Sequence, residues 1–307
     1  MAAVVRTVCG DIEPSAAGVT LCHEHLWFDG VAAFGDQDLL LDSVALVADE
    51  LLAARSLGLG TIVDVTPSVL GRNPAALAAI ATRSKVNVVA GAGLFYGQFL
   101  PPFVAQMDVA TLAEHIASEV EEGIAGGGVR AGAIGEVGNG VGGITALERK
   151  VLLATGRAQR ISGAGVLTHT DMGRLGLEQL DLLEEGGADL SRVLVGHMDC
   201  NPDLPAHLAV ARRGAFVGID RIGVSVLQSD ETRVRLVLSL LERGYARQVI
   251  LSADIAHRSR LLANGGQGYG YTLNGFASRL RAAGVDDSTL RTILVENPRR
   301  LLSFSPH

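Results

Sequence analysis

Lysine is nearly missing from this chain: among 307 residues only Lys85 and Lys150 are lysines. The three cysteines, Cys9, Cys22 and Cys200, are odd in number, and their spacing fits neither a disulfide framework nor a zinc finger. Cys22 and Cys200 read as buried structural thiols, and Cys22, flanked by histidine, is expected to face the outer packing of its strand. With a net charge of −7 and no basic block, the chain offers nucleic acid no footprint. No apolar run approaches the roughly 18 to 20 residues of a membrane span. Asp11 and Glu13 interrupt the start before a signal-like apolar core can form, so the reading is cytoplasmic. The glycine clusters at 126–128 and 265–266 lack a Gly-Lys-Ser/Thr ending, which excludes phosphate loops and leaves turns and a lid segment.

What is plentiful is apolar residues, at 48%, and glycine, at 38 residues. They fall into an alternation. Short β-branched or apolar runs at 19–25, 61–65, 86–94, 131–136, 165–169, 192–197, 215–220 and 249–254 read as strands. Segments at helical spacing, 43–57, 74–84, 109–122, 146–162, 175–185, 204–213, 231–243 and 273–283, read as helices. Several are closed by a C-cap glycine, such as Gly163 and Gly214. A hairpin over 4–17 precedes the first strand, and a last helix, 288–295, ends at Asn297-Pro298 and packs outside. Eight strand–helix units predict an α/β fold, a (β/α)8 TIM barrel, as a single domain over 1–307. A doubly wound open sheet is the alternative. The barrel is preferred because candidate ligands end strands 1, 4, 5, 6 and 8, and only a closed barrel brings five such ends to one mouth.

The first strand ends Cys22-His23-Glu24-His25, which places His23 and His25 on one face. Strand 4 ends at Glu136, strand 5 at His169, strand 6 at His197 and strand 8 at Asp254. Each alone is a weak signal: a lone strand-end His is more often a hydrogen-bonded core residue, and Glu136 alone could be a solvated strand-end charge. Together they are six residues drawn only from His, Glu and Asp. Six ligands exceed what one tetrahedral ion needs and suit two divalent metals sharing a bridging carboxylate and a bridging hydroxide. His23, His25, Glu136 and Asp254 would hold one ion, and Glu136, His169 and His197 the other. Asp254 could then accept the proton of the attacking hydroxide. Zinc comes first among the candidates, with manganese, cobalt or iron as alternatives.

These pieces resemble the phosphotriesterase family of the amidohydrolase superfamily. The matching stretches are Val19-Thr20-Leu21-Cys22-His23-Glu24-His25, Arg130-Ala131-Gly132, Thr168-His169-Thr170, Val195-Gly196-His197, Leu251-Ser252-Ala253-Asp254 and Val295-Glu296-Asn297-Pro298, in order along nearly the whole chain. Phosphotriesterases proper bridge their metals with a carboxylated lysine at the end of strand 4. Here Gly135 and Glu136 stand in that region, and neither lysine can serve. A glutamate bridge is similar to the phosphotriesterase-related, or phosphotriesterase homology, branch, as is the segment Asp254-Ile255-Ala256-His257-Arg258. The resemblance also implies a homodimer formed near the mouth loops.

Aromatics are scarce, with eight Phe, four Tyr and one Trp, and most fall after strands 1, 3 and 8. Trp27, Phe95 and Tyr96 are expected either to wall a substrate pocket or to pack loops and a dimer interface. Arg221, after strand 7, could hold an anionic or carbonyl group by a forked hydrogen bond, or pair with Asp220 on the surface. Arg258 is a weaker candidate for the same work. The function expected is a binuclear metal-dependent hydrolase cleaving a small-molecule ester, lactone or amide. A phosphotriesterase and a non-catalytic ligand-binding barrel are the alternatives. The residues after His169, Thr170-Asp171-Met172, lack the His-x-x-Glu element of the superfamily's deaminases.

Overall fold

The computed structural model describes residues 2–306. Its centre is an all-parallel sheet of eight strands. They are β1 (Val19–Glu24), β2 (Leu59–Asp64), β3 (Asn87–Ala92), β4 (Ala133–Gly138), β5 (Gly165–His169), β6 (Val193–Val195), β7 (Phe216–Ile219) and β8 (Val249–Leu251). Neighbours in sequence are neighbours in the sheet, from β1 to β8 without exception. Each is followed by a helix: α1 (Val44–Ser56), α2 (Pro74–Ser84), α3 (Val109–Glu121), α4 (Ala146–Ser162), α5 (Gly176–Glu185), α6 (Leu204–Arg212), α7 (Asp230–Glu242) and α8 (Ala277–Ala282). The fold is the expected TIM barrel.

The local chemistry explains these elements. Parallel strands covered on both faces read as continuous apolar runs, and Val193–Val195 and Val249–Leu251 are buried throughout. Helix starts are fixed by side-chain caps from Ser43, Asn73, Asp108, Thr145 and Ser229. At Thr145 the partner Glu148 completes a capping box.

Between β8 and β1 a side chain closes the ring. The Glu24 carboxylate accepts from Ser252 Oγ (2.8 Å), Ala253 N (2.6 Å) and Ile255 N (2.9 Å). Ser252 Oγ accepts from His23 N at 3.0 Å, and Asp254 N donates to His23 O at 3.1 Å.

The floor of the barrel is plugged from both chain ends. Val4–Thr7 pairs antiparallel with Gly10–Ile12, forming the expected hairpin, and also with Ser303–Phe304. Val5, Ala17, Leu301 and Leu302 join the interior cluster with Val63, Leu167, Leu194, Phe216 and Ile250. Burying each of the larger side chains contributes about 1.5–3 kcal/mol.

Two expectations change here. Cys22 packs in that interior cluster, not toward the helices. Leu21 faces the helices and Cys22 the interior, and the register of β1 on β2 slips between Leu21 and Glu24, so alternation fails between Cys22 and His23 and both face inward. The terminal helix does not stop at Asn297-Pro298. It runs as Asp287–Arg291, a wider turn over Thr292–Glu296, and Asn297–Leu302. Pro298 lies in the first turn of the last segment, where its missing N–H is tolerated. Among the described residues no helix is long and apolar enough to cross a membrane.

Candidate active site

The C-terminal ends of β1, β4, β5, β6 and β8 bring all six predicted ligands to the barrel mouth. Glu136 is the hub. Its Oε1 lies 2.6 Å from His169 Nδ1, 3.0 Å from His197 Nε2 and 3.2 Å from His23 Nε2. Asp254 Oδ1 lies 3.1 Å from His25 Nε2. Three overlapping groups, His23–His25–Glu136, His23–His197–Asp254 and Glu136–His169–His197, each gather their ligand atoms within 4.8 Å of one another. All six residues are buried. Burial works against ionising Glu136, but His169 and His23 outweigh it and hold its carboxyl well below the usual range.

The donor set fits metal. Both ring nitrogens of His23 are buried without a hydrogen-bond partner, a costly state for two polar atoms unless something else binds there. Four imidazoles and two carboxylates are the ligand types of zinc and its first-row neighbours. Lys150 donates its Nζ to the carbonyls of Val104, Ala105 and Met107, away from this cluster.

Backbone geometry is unusual at two of these residues. His197 and Asp254 are non-glycine residues at positive φ, 59° and 50°. Such conformations cost on the order of 1–3 kcal/mol and persist where surroundings over-determine them. For His197 the surroundings are Asp220, whose Oδ1 accepts from His197 N at 2.8 Å.

Asp220 is the residue that the sequence reading undervalued. In the sequence it stands out only as a surface partner for Arg221, yet it is fully buried. Its Oδ1 lies 3.0 Å from His197 Nδ1, and its Oδ2 lies 3.1 Å from His23 Nδ1. The second approach is close but off-axis, so His23 Nδ1 stays unsatisfied. A carboxylate behind two imidazoles fixes their tautomer and turns the other ring nitrogens toward the metal position. A side chain at Gly218 would run into Asp220, with its Cβ 2.6 Å from Oδ2. The available signal was a carboxylate ending an apolar strand, the same one that marked Asp254. Thr66 plays a matching part on His25, with Oγ1 at 2.8 Å from Nδ1. Asp220→Asn should weaken metal binding by about 10- to 100-fold, measured by competition with a chelator. Unchanged affinity would show that the two imidazoles need no carboxylate behind them.

Arg221 does not pair with Asp220. Its Nε lies 2.7 Å from Asp254 Oδ2. Burial opposes a charge on Asp254, but Arg221 and the His25 hydrogen bond hold it ionised, well below the normal carboxylate range. Further back, the buried Arg233 donates to Asp199 Oδ2, and Asp199 accepts from the backbone N of Asp220 and Arg221. That buried pair carries the loop after β7.

Beside the cluster is a cavity of about 230 Å³, and Phe95, Tyr96 and Arg221 are among its lining residues. Tyr96 stacks on His169 with ring centres 4.8 Å apart, and Phe28 packs on His25 at 4.8 Å. Burial, helped by the charge of Glu136, pushes the Tyr96 hydroxyl up to about 12, so it stays a neutral donor. Trp27 and Arg258 are not among the lining residues. Trp27 is half-buried, and Arg258 is exposed with its backbone N donating to Asp38 O. Phe28, Phe34, Leu39, Leu70, Ala256 and His257 line the cavity as well.

Residues 3–302 match the model of the phosphotriesterase family. The chain belongs to the phosphotriesterase family. It is 38% identical over 281 residues to the phosphotriesterase homology protein of Escherichia coli, covering 92% of this chain and 96% of that one. It is 32% identical to an N-acetyltaurine hydrolase of Danio rerio, covering 98% of both. Among solved structures, a lactonase from Listeria monocytogenes superposes with a TM-score of 0.93 at 28% identity, covering 98% of this chain and 99% of that one. As a phosphotriesterase-family member with hydrolases among its relatives, the protein is a metal-dependent hydrolase.

Proposed function

We propose that the protein is a binuclear enzyme cleaving a carboxylic ester, lactone or amide of small size, with zinc first among its metals. The observation that carries this reading is the sharing of Glu136 between two ligand groups, one with His23 and His25 and one with His169 and His197. Divalent cations held there would supply an acidified water and a Lewis acid for the scissile carbonyl. The chain's own residues do the rest. Asp254, kept ionised at neutral pH, takes the proton of the attacking water. Arg221 holds that carboxylate in place through the 2.7 Å contact. Tyr96 and Phe95 wall the cavity over His169 and exclude bulk water from the reacting end.

Protein purified without chelator should contain about two metal ions per chain, the stoichiometry of such bridged sites, by elemental analysis. The loaded protein should hydrolyse members of a panel of lactones, carboxylic esters and N-acyl amines faster than phosphotriesters. A firm stoichiometry of one, unchanged on adding metal, would remove the binuclear reading. Hydrolysis of phosphotriesters alone would replace the carbonyl substrate by a phosphorus one.

A further inference from the structure

The cavity has one polar end and one apolar end. His25, Glu136, His169, Arg221 and Asp254 form the polar end, at the cluster. Phe28 and Phe95 pack against His25 and His169 beside it, and Phe34, Leu39, Leu70 and Ala256 form most of the rest. Apart from His257, the positively charged or chargeable groups of the lining are already engaged at the cluster. Arg221 places Nε 2.7 Å from Asp254, and two of its nitrogens each lie 3.2 Å from a ring nitrogen of His197. His25 faces Asp254 and His169 faces Glu136. Among the described residues lining the apolar end there is no lysine or arginine, and His257 is the one imidazole. The nearby Arg72 is not in the lining and is bound in a fork to Glu119 at 2.6 and 2.9 Å.

We infer that the substrate is uncharged away from its scissile bond, with a small alkyl or aryl tail, and that substrates whose tail carries a second anionic group are rejected. This rests on the hydrolase reading above. A carboxylate or sulfonate carried into the apolar end would lose its water and meet no fixed positive charge there, a penalty that an alkyl tail does not face. An alkyl or aryl tail instead buries apolar surface against Phe34, Leu39 and Leu70, which is favourable in proportion to the area covered. The volume, about 230 Å³, lies below the roughly 300–1,000 Å³ of pockets for drug-sized ligands, so the tail is short. Selection therefore acts on the charge of the tail, at the end of the cavity away from the chemistry.

The test uses matched pairs on the full, metal-loaded chain. N-propylacetamide is paired with N-acetyltaurine, and methyl pentanoate with monomethyl succinate; the reacting group is constant within a pair and only the tail charge changes. The neutral member should have the higher kcat/KM by at least about tenfold, since burying an unpaired charge costs more than the 1.4 kcal/mol of a tenfold ratio. Phe34 is 46% exposed at the rim, so Phe34→Arg should fold normally and should narrow that ratio by about two- to fivefold, the worth of an exposed ion pair, by supplying the missing cation. Equal or faster cleavage of the anionic members overturns the inference and leaves the hydrolase reading intact. If neither member of either pair is cleaved, the hydrolase reading fails for these bonds, and binding of uncleaved analogues decides the inference alone. Calorimetric titration should give N-propylmethanesulfonamide the tighter binding over N-mesyl-β-alanine, and tighter binding of the anion would refute it.

Discussion

Asp254→Asn should lower kcat by about two to four orders of magnitude, the range for removing a general base. The substitution is a clean one at this position. Asp254 sits at φ 50°, in the left-handed region, and asparagine is among the few non-glycine residues that tolerate it. The backbone bond from Asp254 N to His23 O should therefore survive. What changes is chemical. A carboxamide accepts no proton at neutral pH, and its NH2 must face either Arg221 Nε or His25 Nε2, now at 2.7 and 3.1 Å from carboxylate oxygens. Metal content should fall less than activity, because the four histidines and Glu136 remain. Measuring kcat, metal content and Tm on one preparation separates the possibilities. A role confined to capping the loop after β8 would lower Tm while leaving turnover per loaded molecule unchanged. Full turnover by the metal-loaded variant would remove Asp254 from the mechanism.

Glu136→Ala should lose metal and activity together. One carboxylate oxygen now sits within 3.2 Å of nitrogens from three imidazoles. Alanine leaves those buried rings facing one another without the anion that joins them. Elemental analysis should show a fall from about two ions per chain, the content of a bridged pair. The loss of activity should exceed the roughly 10- to 100-fold typical of an outer-shell partner such as Asp220. A Glu136→Ala protein that kept its metal and its turnover would show that another group joins the ions.

The barrel is legible in the sequence because its strands are buried on both faces. Each reads as an apolar run, and a polar residue that ends such a run stands out, which is how Glu136, His169, His197 and Asp254 are found. Directions are less legible. Ala133 faces the interior and Ile134 the helices, so strict alternation would turn Glu136 toward the helices. It faces the mouth because the ladder slips between Ile134 and Val137, as β1 slips between Leu21 and Glu24. In β1 the same device aims His23, which follows the inward-facing Cys22 and still reaches the mouth. Partners across strands are invisible in one dimension: Asp220 meets His197 from the neighbouring strand β6, and it meets His23 only because closure brings β1 up beside β8, one strand beyond β7. Loops hide direction as well. Asp38 ties the backbone of Arg258 and Ser259, which holds Arg258 out in solvent while its neighbour His257 reaches the cavity.

The carboxylate of Glu24 joins two segments that lie more than 220 residues apart in the chain. Contacts of that separation carry a large loop-closure entropy, so they are expected to form late in folding. Glu24 stands between His23 and His25, and the groups it grips lead into and out of Asp254. A barrel that has not yet closed therefore has no complete metal site, however well its separate strand–helix units have formed. Any ion that binds the finished site stabilises only the closed ring. The time course of metal uptake during refolding would then mark the moment at which the two ends of the sheet meet.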